Sequence, residues 1–222
     1  MPFKYELHCH TKEVSRCGGF YAADAVKLYK DAGYDGIVIT DHFAPMTFSP
    51  STVWRPHKAV DFYTRGYKEA LKAAGDDFTV LLGMELRYYA TANDYLVYGI
   101  TEDFLKSNGN ILSMYPKRFY RLAKKNNLIV VQAHPFRDWM IRINPKHLDG
   151  AEVFNGKSSR EANENAEKWV NETGMKIRVS GSDFHRPAQL AKGGIITETP
   201  IKTNDDLLKI LNSGDYELIK NY

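Results

Sequence analysis

The sequence predicts an α/β fold in which helices pack around a mainly parallel sheet, and three observations carry that prediction. Apolar, β-branched runs alternate with amphipathic stretches along the whole chain, the order that βαβ units produce. Seven or so strand units fit within 222 residues without a linker, an internal repeat or a low-complexity tract, so residues 1–222 are expected to form a single domain. That number of strands suggests a barrel more than an open sheet, although a doubly wound sheet carries the same local signature. Finally, the residues able to hold metals or protons fall at the C-terminal ends of the expected strands, the edge where such folds bind ligands.

The first run, FKYELHCHT, reads as a strand and leads into YAADAVKLYKDAG, whose apolar positions recur at helical spacing and stop at Gly33. YDGIVITDHF is the next strand. A long loop, APMTFSPSTVWRPHK, leads to a helix from about Val60 to Ala74, and FTVLLGMELRYY follows as the third strand. Only ATAND separates it from YLVYGI. A helical crossover needs roughly 10–12 residues, so these two strands should pair as a hairpin. LIVVQAHPF, AEVFNG and KIRVSGSDFH are further strands, separated by helical KRFYRLAKKNN and SREANENAEKWVNETG. GGIITETP, a helix around DDLLKILNSG and YELIKNY complete the order.

A hydrophobic fraction of 43% and a charged fraction of 26% exclude disorder and collagen-like classes. No apolar run approaches the roughly 20 residues of a membrane span, and MPFKYELHCH lacks a signal-peptide pattern, so a cytoplasmic location is expected. The net charge of +3, from 30 basic and 27 acidic residues, excludes a protein that coats nucleic acid and leaves only a local patch for such a substrate. Cys9 and Cys17 are too few for a disulfide framework and suit a reducing compartment.

His8 and His10 sit two apart on a strand, so both rings point to one face while Cys9 points to the other and behaves as a small apolar residue. Asp183 and His185 repeat the arrangement at a later strand end. Asp41, His42, Glu85 and His134 add further donors at strand ends. Imidazole and carboxylate suit zinc, manganese and iron alike. Burying this many titratable groups at one end of a core without a cation would cost several kcal/mol, so a metal cluster is expected.

The order HxH, TDH, GxE, AHP and SDxH, running from His8 to Arg186, resembles the PHP family, the polymerase and histidinol phosphatase domain. The resemblance implies a distorted (β/α)7 barrel, two or three divalent metal ions (Zn, Mn or Fe) at the strand rim, and phosphoester hydrolysis. By position it implies that His8, His10, Glu85 and Asp183 hold a first metal, that Glu85 bridges to a second held by His134, and that His42 and His185 hold a third. This chain departs from the family pattern twice. Ser15 and Arg16 stand where many members carry an Asp or His, which leaves Glu13 as the chosen donor and Cys17 as the other one nearby. Leu96 stands where a histidine is usual, with Asn93 and Asp94 the nearby substitutes.

Close dications lower the pKa of a bridging water, so the expected reaction is attack of a metal-bound hydroxide on a small phosphomonoester. Arg16, Arg87, Arg137 and Arg186 are candidates for a phosphate clamp, with Arg137 and Arg186 nearest in sequence to expected ligands. Asp183 and His185 complete the catalytic set, His185 or a bound water protonating the leaving oxygen. The alternative substrate is a nucleotide or oligonucleotide end, for which the insertion from Ala44 to Lys58, with Phe48, Trp54, Arg55 and His57, offers a stacking platform. A reading from another class is a metal-containing binding domain without turnover, motivated by Leu96. No protein partner or membrane contact is identifiable.

Overall fold

The structure, a computed structural model, describes residues 2–53, 55–89 and 91–222. The β-branched runs become β1 (Phe3–Cys9), β2 (Gly36–Ile39), β3 (His42–Phe43), β4 (Thr79–Leu82), β5 (Met84–Arg87), β6 (Asp94–Tyr98), β7 (Ile129–Gln132), β8 (Gly150–Asn155), β9 (Ile177–Gly181), β10 (Gly193–Thr197) and β11 (Glu217–Lys220). The helices are α1 (Ala22–Asp31), α2 (Pro50–Val53), α3 (Pro56–Tyr63), α4 (Arg65–Ala74), α5 (Glu102–Ser107), α6 (Pro116–Lys125), α7 (Arg160–Thr173) and α8 (Asn204–Ser213). Trp54, part of the expected stacking platform, lies outside the described residues.

Among the described residues this mixed α/β architecture has two sheets, one of five strands in the order β11-β10-β1-β2-β4 and one of six in the order β3-β5-β6-β7-β8-β9. Pairing is parallel along β1-β2-β4, β3-β5 and β7-β8-β9. The expected hairpin is present: β5 runs antiparallel to β6, with Glu85 opposite Leu96. β10 and β11 add antiparallel strands beyond β1.

Two runs that read as continuous strands are each broken, and the breaks lie side by side. Residues 34–43 divide into β2 and β3, and residues 78–89 divide at Gly83 into β4 and β5. The hydroxyl of Tyr63 lies between the carbonyls of Asp41 (3.0 Å) and Gly83 (2.9 Å), and because Asp41 O also accepts from Glu85 N–H, the hydroxyl's one proton is enough to leave neither buried oxygen unpaired. Gly83 N–H still donates to Ile39 O (2.9 Å) and Glu85 N–H to Asp41 O (3.1 Å), which carries the ladder from one sheet to the other. A second junction joins the ends of β1 and β9: Phe184 N–H donates to His8 O (3.1 Å) and His10 N–H to Phe184 O (3.3 Å).

The single helix expected from Val60 to Ala74 is two helices meeting at Thr64, whose hydroxyl donates back to Val60 O (3.0 Å). Such a bond to the preceding turn competes with the helical ladder. Tyr5, Leu7, Val38, Leu81, Leu96, Val131 and Val179 form one apolar cluster, and Ile37, Ile39 and Val80 turn the other way against α1 and α4. The site sits above the first cluster, where the strands end.

Candidate metal centre

The inward aim of the two first-strand histidines depends on a local irregularity. Tyr5 and Leu7 share the interior cluster, but Cys9 packs with Ala22, Tyr29 and Phe184. Odd-numbered residues therefore change face between Leu7 and Cys9, where the pairing of β1 with β2 is shifted. Glu6 holds that shift in place. Its Oε1 accepts from the N–H groups of Leu7 (3.0 Å), His8 (2.8 Å) and Ser182 (2.8 Å), and its Oε2 from the Tyr29 hydroxyl (2.8 Å). Gly181 supplies the room, because a Cβ there would lie 2.4 Å from His8 Cβ and 2.7 Å from Glu152 Oε1.

His8 Nε2 and His10 Nε2 lie 3.1 Å apart. Glu85 spans the centre: Oε1 is 3.4 Å from His8 Nε2 and 2.9 Å from His134 Nε2, and Oε2 is 3.4 Å from His10 Nε2 and 2.7 Å from His42 Nδ1. Asp183 Oδ1 is 3.8 Å from His8 Nε2, 3.5 Å from His10 Nε2 and 3.0 Å from His185 Nδ1. Donor atoms converge within 4.8 Å of one another in three overlapping groups: His8, His10 and Glu85; Glu85, Asp94 and His134; and His10, His42 and His185.

Glu85 Oε2 is buried with no hydrogen-bond partner among the described residues, its approach to His42 having the distance of a hydrogen bond without the direction. A carboxylate oxygen left without a donor among imidazole nitrogens fits a divalent cation, and so does the donor set as a whole. His134 and Asp183 also have positive φ angles, +29° and +51°, in the region that non-glycine residues rarely occupy. Such backbone strain collects at functional sites.

Surrounding groups fix the rings. His8 Nδ1 is 2.8 Å from Glu152 Oε1, while Glu152 Oε2 accepts from His134 N–H (2.8 Å) and Asn155 Nδ2 (2.9 Å). Ser15 Oγ is 3.2 Å from His10 Nδ1 and donates to Asp41 Oδ1 (2.7 Å). Asp41 also accepts from the N–H (2.7 Å) and hydroxyl (2.6 Å) of Thr11, so its carboxylate is occupied by these donors and braces the cluster from behind.

Glu13, expected among the ligands, is placed elsewhere. Both its oxygens accept from Ala22 N–H, at 3.0 and 3.1 Å, at the start of α1, where a carboxylate meets unpaired N–H groups and the positive end of the helix dipole. The donor beside the third group is Cys17, whose Sγ is 3.0 Å from His185 Nε2. Leu96 is buried in the interior cluster, and Asp94, two residues nearer the rim on the same strand, brings Oδ2 to 3.8 Å from His134 Nε2. Arg87 holds that carboxylate from the other side, at 2.7 and 2.5 Å.

Arg137 Nη2 donates to Asp183 Oδ2 (2.6 Å) and Asn155 Oδ1 (2.7 Å), and Lys157 Nζ lies 3.7 Å from Asp183 Oδ1. Both line a cavity of about 330 Å³ with Cys17, His42, Glu85 and Trp139. Arg186 is exposed and outside that lining, and Arg16 borders a separate groove with Lys12 and Phe48. Phe48 is buried edge-to-face against Phe43, where it pins the insertion to the body, and Arg55 and His57 are exposed. Sequence reading missed Glu6, Ser15, Glu152 and Lys157 because their partners are distant in the chain or lie in irregular segments.

The fields of these groups oppose one another. Burial pushes the Glu85 carboxyl up, but the charges of His42 and His8 outweigh it and hold the group well below the usual carboxylate range. Asp183 is likewise held low, its burial overcome by His8, His185 and Arg137. Burial and the charges of His42 and His185 keep His10 well below the ordinary imidazole value. Burial raises the Cys17 thiol, yet its contacts with His185 and His42 bring it down to about 6. Strong perturbation of this kind, gathered in one cluster beside a cavity, is the pattern functional sites show.

The PHP domain family matches over residues 6–183, and the chain belongs to that family. No curated protein matches the chain. Among solved structures it is similar to a two-domain protein of Bacteroides vulgatus assigned a PHP-like metal-dependent phosphoesterase domain, at 18% identity and a TM-score of 0.69, over 100% of this chain and 65% of that one. A Bifidobacterium adolescentis protein assigned as a metal-dependent phosphoesterase matches at 16% identity and a TM-score of 0.58, over 94% and 95% of the two chains. Endonuclease Q, solved with a 27-mer duplex bearing an abasic lesion, matches at 16% identity and a TM-score of 0.64, over 96% of this chain and 57% of that one. The chain thus spans less than two thirds of the first and third of these relatives, and at such identities the likeness is one of fold. No helix among the described residues is long and apolar enough to cross a membrane.

Proposed function

We propose that this chain is a metal-dependent phosphoesterase acting on small phosphomonoesters, with residues 1–222 working as one unit whose two sheets join as a distorted (β/α)7 barrel. The hydrogen bonds that link β1 to β9 and carry the β2-β4 ladder into β3-β5 support the barrel reading. The observation that carries the function is the unpartnered Glu85 Oε2, set among His8, His10, His42 and His134 beside a cavity that Arg137 and Lys157 line, together with Arg87, which pairs with Asp94.

Two or three divalent cations, zinc, manganese or iron, would be held by three groups of ligands. His8, His10, Glu85 and Asp183 take the first, Glu85, His134 and Asp94 the second, and His42, His185 and Cys17 the third. When bound, such ions supply a hydroxide near neutral pH and neutralise phosphate charge. Arg137 and Lys157, which line the cavity, would receive the phosphate oxygens. With Nδ1 anchored by Asp183, His185 would present Nε2 to the third cation when three are bound, and the same nitrogen would protonate the leaving oxygen when only two are. The two free cysteines suit a reducing, cytoplasmic setting.

The fold likeness to endonuclease Q supports a second reading, hydrolysis at nucleotide or nucleic-acid ends. Assays of p-nitrophenyl phosphate, its bis ester and short oligonucleotides, each with added manganese, zinc or iron, test the proposal. Turnover of the monoester supports it, turnover of oligonucleotides alone supports the second reading, and inactivity under every condition leaves a binding domain.

A further inference from the structure

Trp139 is 89% exposed and lines the same cavity as His42, Arg137, Lys157 and Asp183. A large indole left in water at the mouth of a charged cavity departs from the usual rule that aromatic area is covered. Its position is not that of a loose loop tip. Met140 N–H donates to Arg137 O (3.1 Å) and Arg137 N–H to His134 O (3.0 Å), which winds the segment tightly out of the ligand His134. Trp139 itself has φ +71°, an uncommon conformation for a bulky side chain.

Two buried amides then clamp the chain just beyond the indole. Asn93 donates to Ile141 O (2.6 Å) and accepts from Ile141 N–H (2.8 Å), while Gln132 donates to Ile141 O (2.8 Å) and accepts from Ile143 N–H (3.1 Å). The indole is therefore presented on a fixed backbone at a cavity that also holds the two cationic side chains that would bind a phosphate. A pre-positioned aromatic face near an anion site is what a ligand with a phosphate at one end and a flat ring at the other requires.

We infer that Trp139 is the specificity platform of the site, stacking on a flat aromatic ring carried by the alcohol of the phosphomonoester. This rests on the phosphoesterase reading for its kinetic test but not for its binding test. The ring belongs either to a nucleobase or to a phenol, and the two sources are separate arms of the experiment. A nucleoside monophosphate and phenyl phosphate are each compared with glycerol phosphate, which has no ring, on wild type, Trp139→Phe and Trp139→Ala.

For the arm that carries the natural chemistry, the ratio of kcat/KM to that for glycerol phosphate falls roughly ten-fold in Trp139→Ala, mainly through KM, and Trp139→Phe restores most of it. An unchanged ratio in both arms overturns the inference. If no ester is turned over, the phosphoesterase reading fails separately, and dissociation constants of the same three compounds decide the platform. Binding of a ring-bearing ester weakened in Trp139→Ala more than that of glycerol phosphate supports it, and equal affinities overturn it.

Discussion

The ligands of the proposed centre come from two unlike regions. His8, His10, Glu85 and Asp183 lie on strands or just after them, at 0 or 1% exposure, with His8 held by buried bonds to Glu6 and Glu152, His10 by Ser15, and Asp183 by Arg137 and Asn155. His42 and Cys17 lie farther out, the His42 side chain 21% exposed and Cys17 on the loop after β1, with His185 between them and the inner set. The inner region takes its geometry from the sheets themselves. The outer region depends on one loop and one thiol, so it should be the weaker and more easily altered of the two.

The largest effect is expected from the inner set. His8→Ala or Asp183→Ala should remove bound metal and lower turnover by more than about 100-fold, beyond what losing a supporting residue costs. Elemental analysis beside an activity assay checks this. Full metal content in both variants would place the ions elsewhere.

Cys17→Ser should separate the regions. About one equivalent of metal should be lost and turnover should drop by roughly ten-fold, with the inner ions retained. Glu13→Gln is the matched control: the metal ratio should hold, while urea unfolding shows a loss of about 0.5–1 kcal/mol from a weakened helix terminus. If Glu13→Gln loses metal and Cys17→Ser does not, the assignment of the outer donor reverses.

A subtler effect concerns Glu6, which shapes the inner region without touching a ligand ring. Burial raises its carboxyl from an ordinary 4.5 to about 7 against the bonds it accepts from Ser182, His8 and Tyr29. The folded chain then keeps a proton that the unfolded chain has lost, so this group makes stability fall as pH rises from about 4.5 to about 7, by at most roughly 3 kcal/mol. In metal-free protein, Glu6→Gln should flatten the difference between urea midpoints at pH 5 and pH 7. An identical slope in the two proteins would remove Glu6 from the pH response.

The contrast between regions also decides what a sequence discloses. Inner ligands follow strand periodicity, and the hairpin of β5 and β6 follows from a gap too short for a crossover. The choice between Glu13 and Cys17 was not legible, because loop residues have no period and only the turn before α1 sends one carboxylate to Ala22. Nor were the breaks at Gly83 and Thr64, which depend on Tyr63 reaching two carbonyls and on the bond from Thr64 to Val60. The face change in β1 was hidden as well. Alternation correctly separated His8 and His10 from Cys9, but nothing local showed that Glu6 turns the chain over just before them.

Cation binding by the buried cluster and phosphomonoester hydrolysis at it stand or fall together. Metal content and p-nitrophenyl phosphate hydrolysis, measured on one preparation before chelation, after it and after restoring manganese, zinc or iron, test this reading of the cluster most directly. Two or three equivalents of metal per chain are expected, with activity lost on chelation and regained with at least one of the three ions. Hydrolysis that survives complete removal of metal, or a chain that takes up no stoichiometric cation, would contradict that reading.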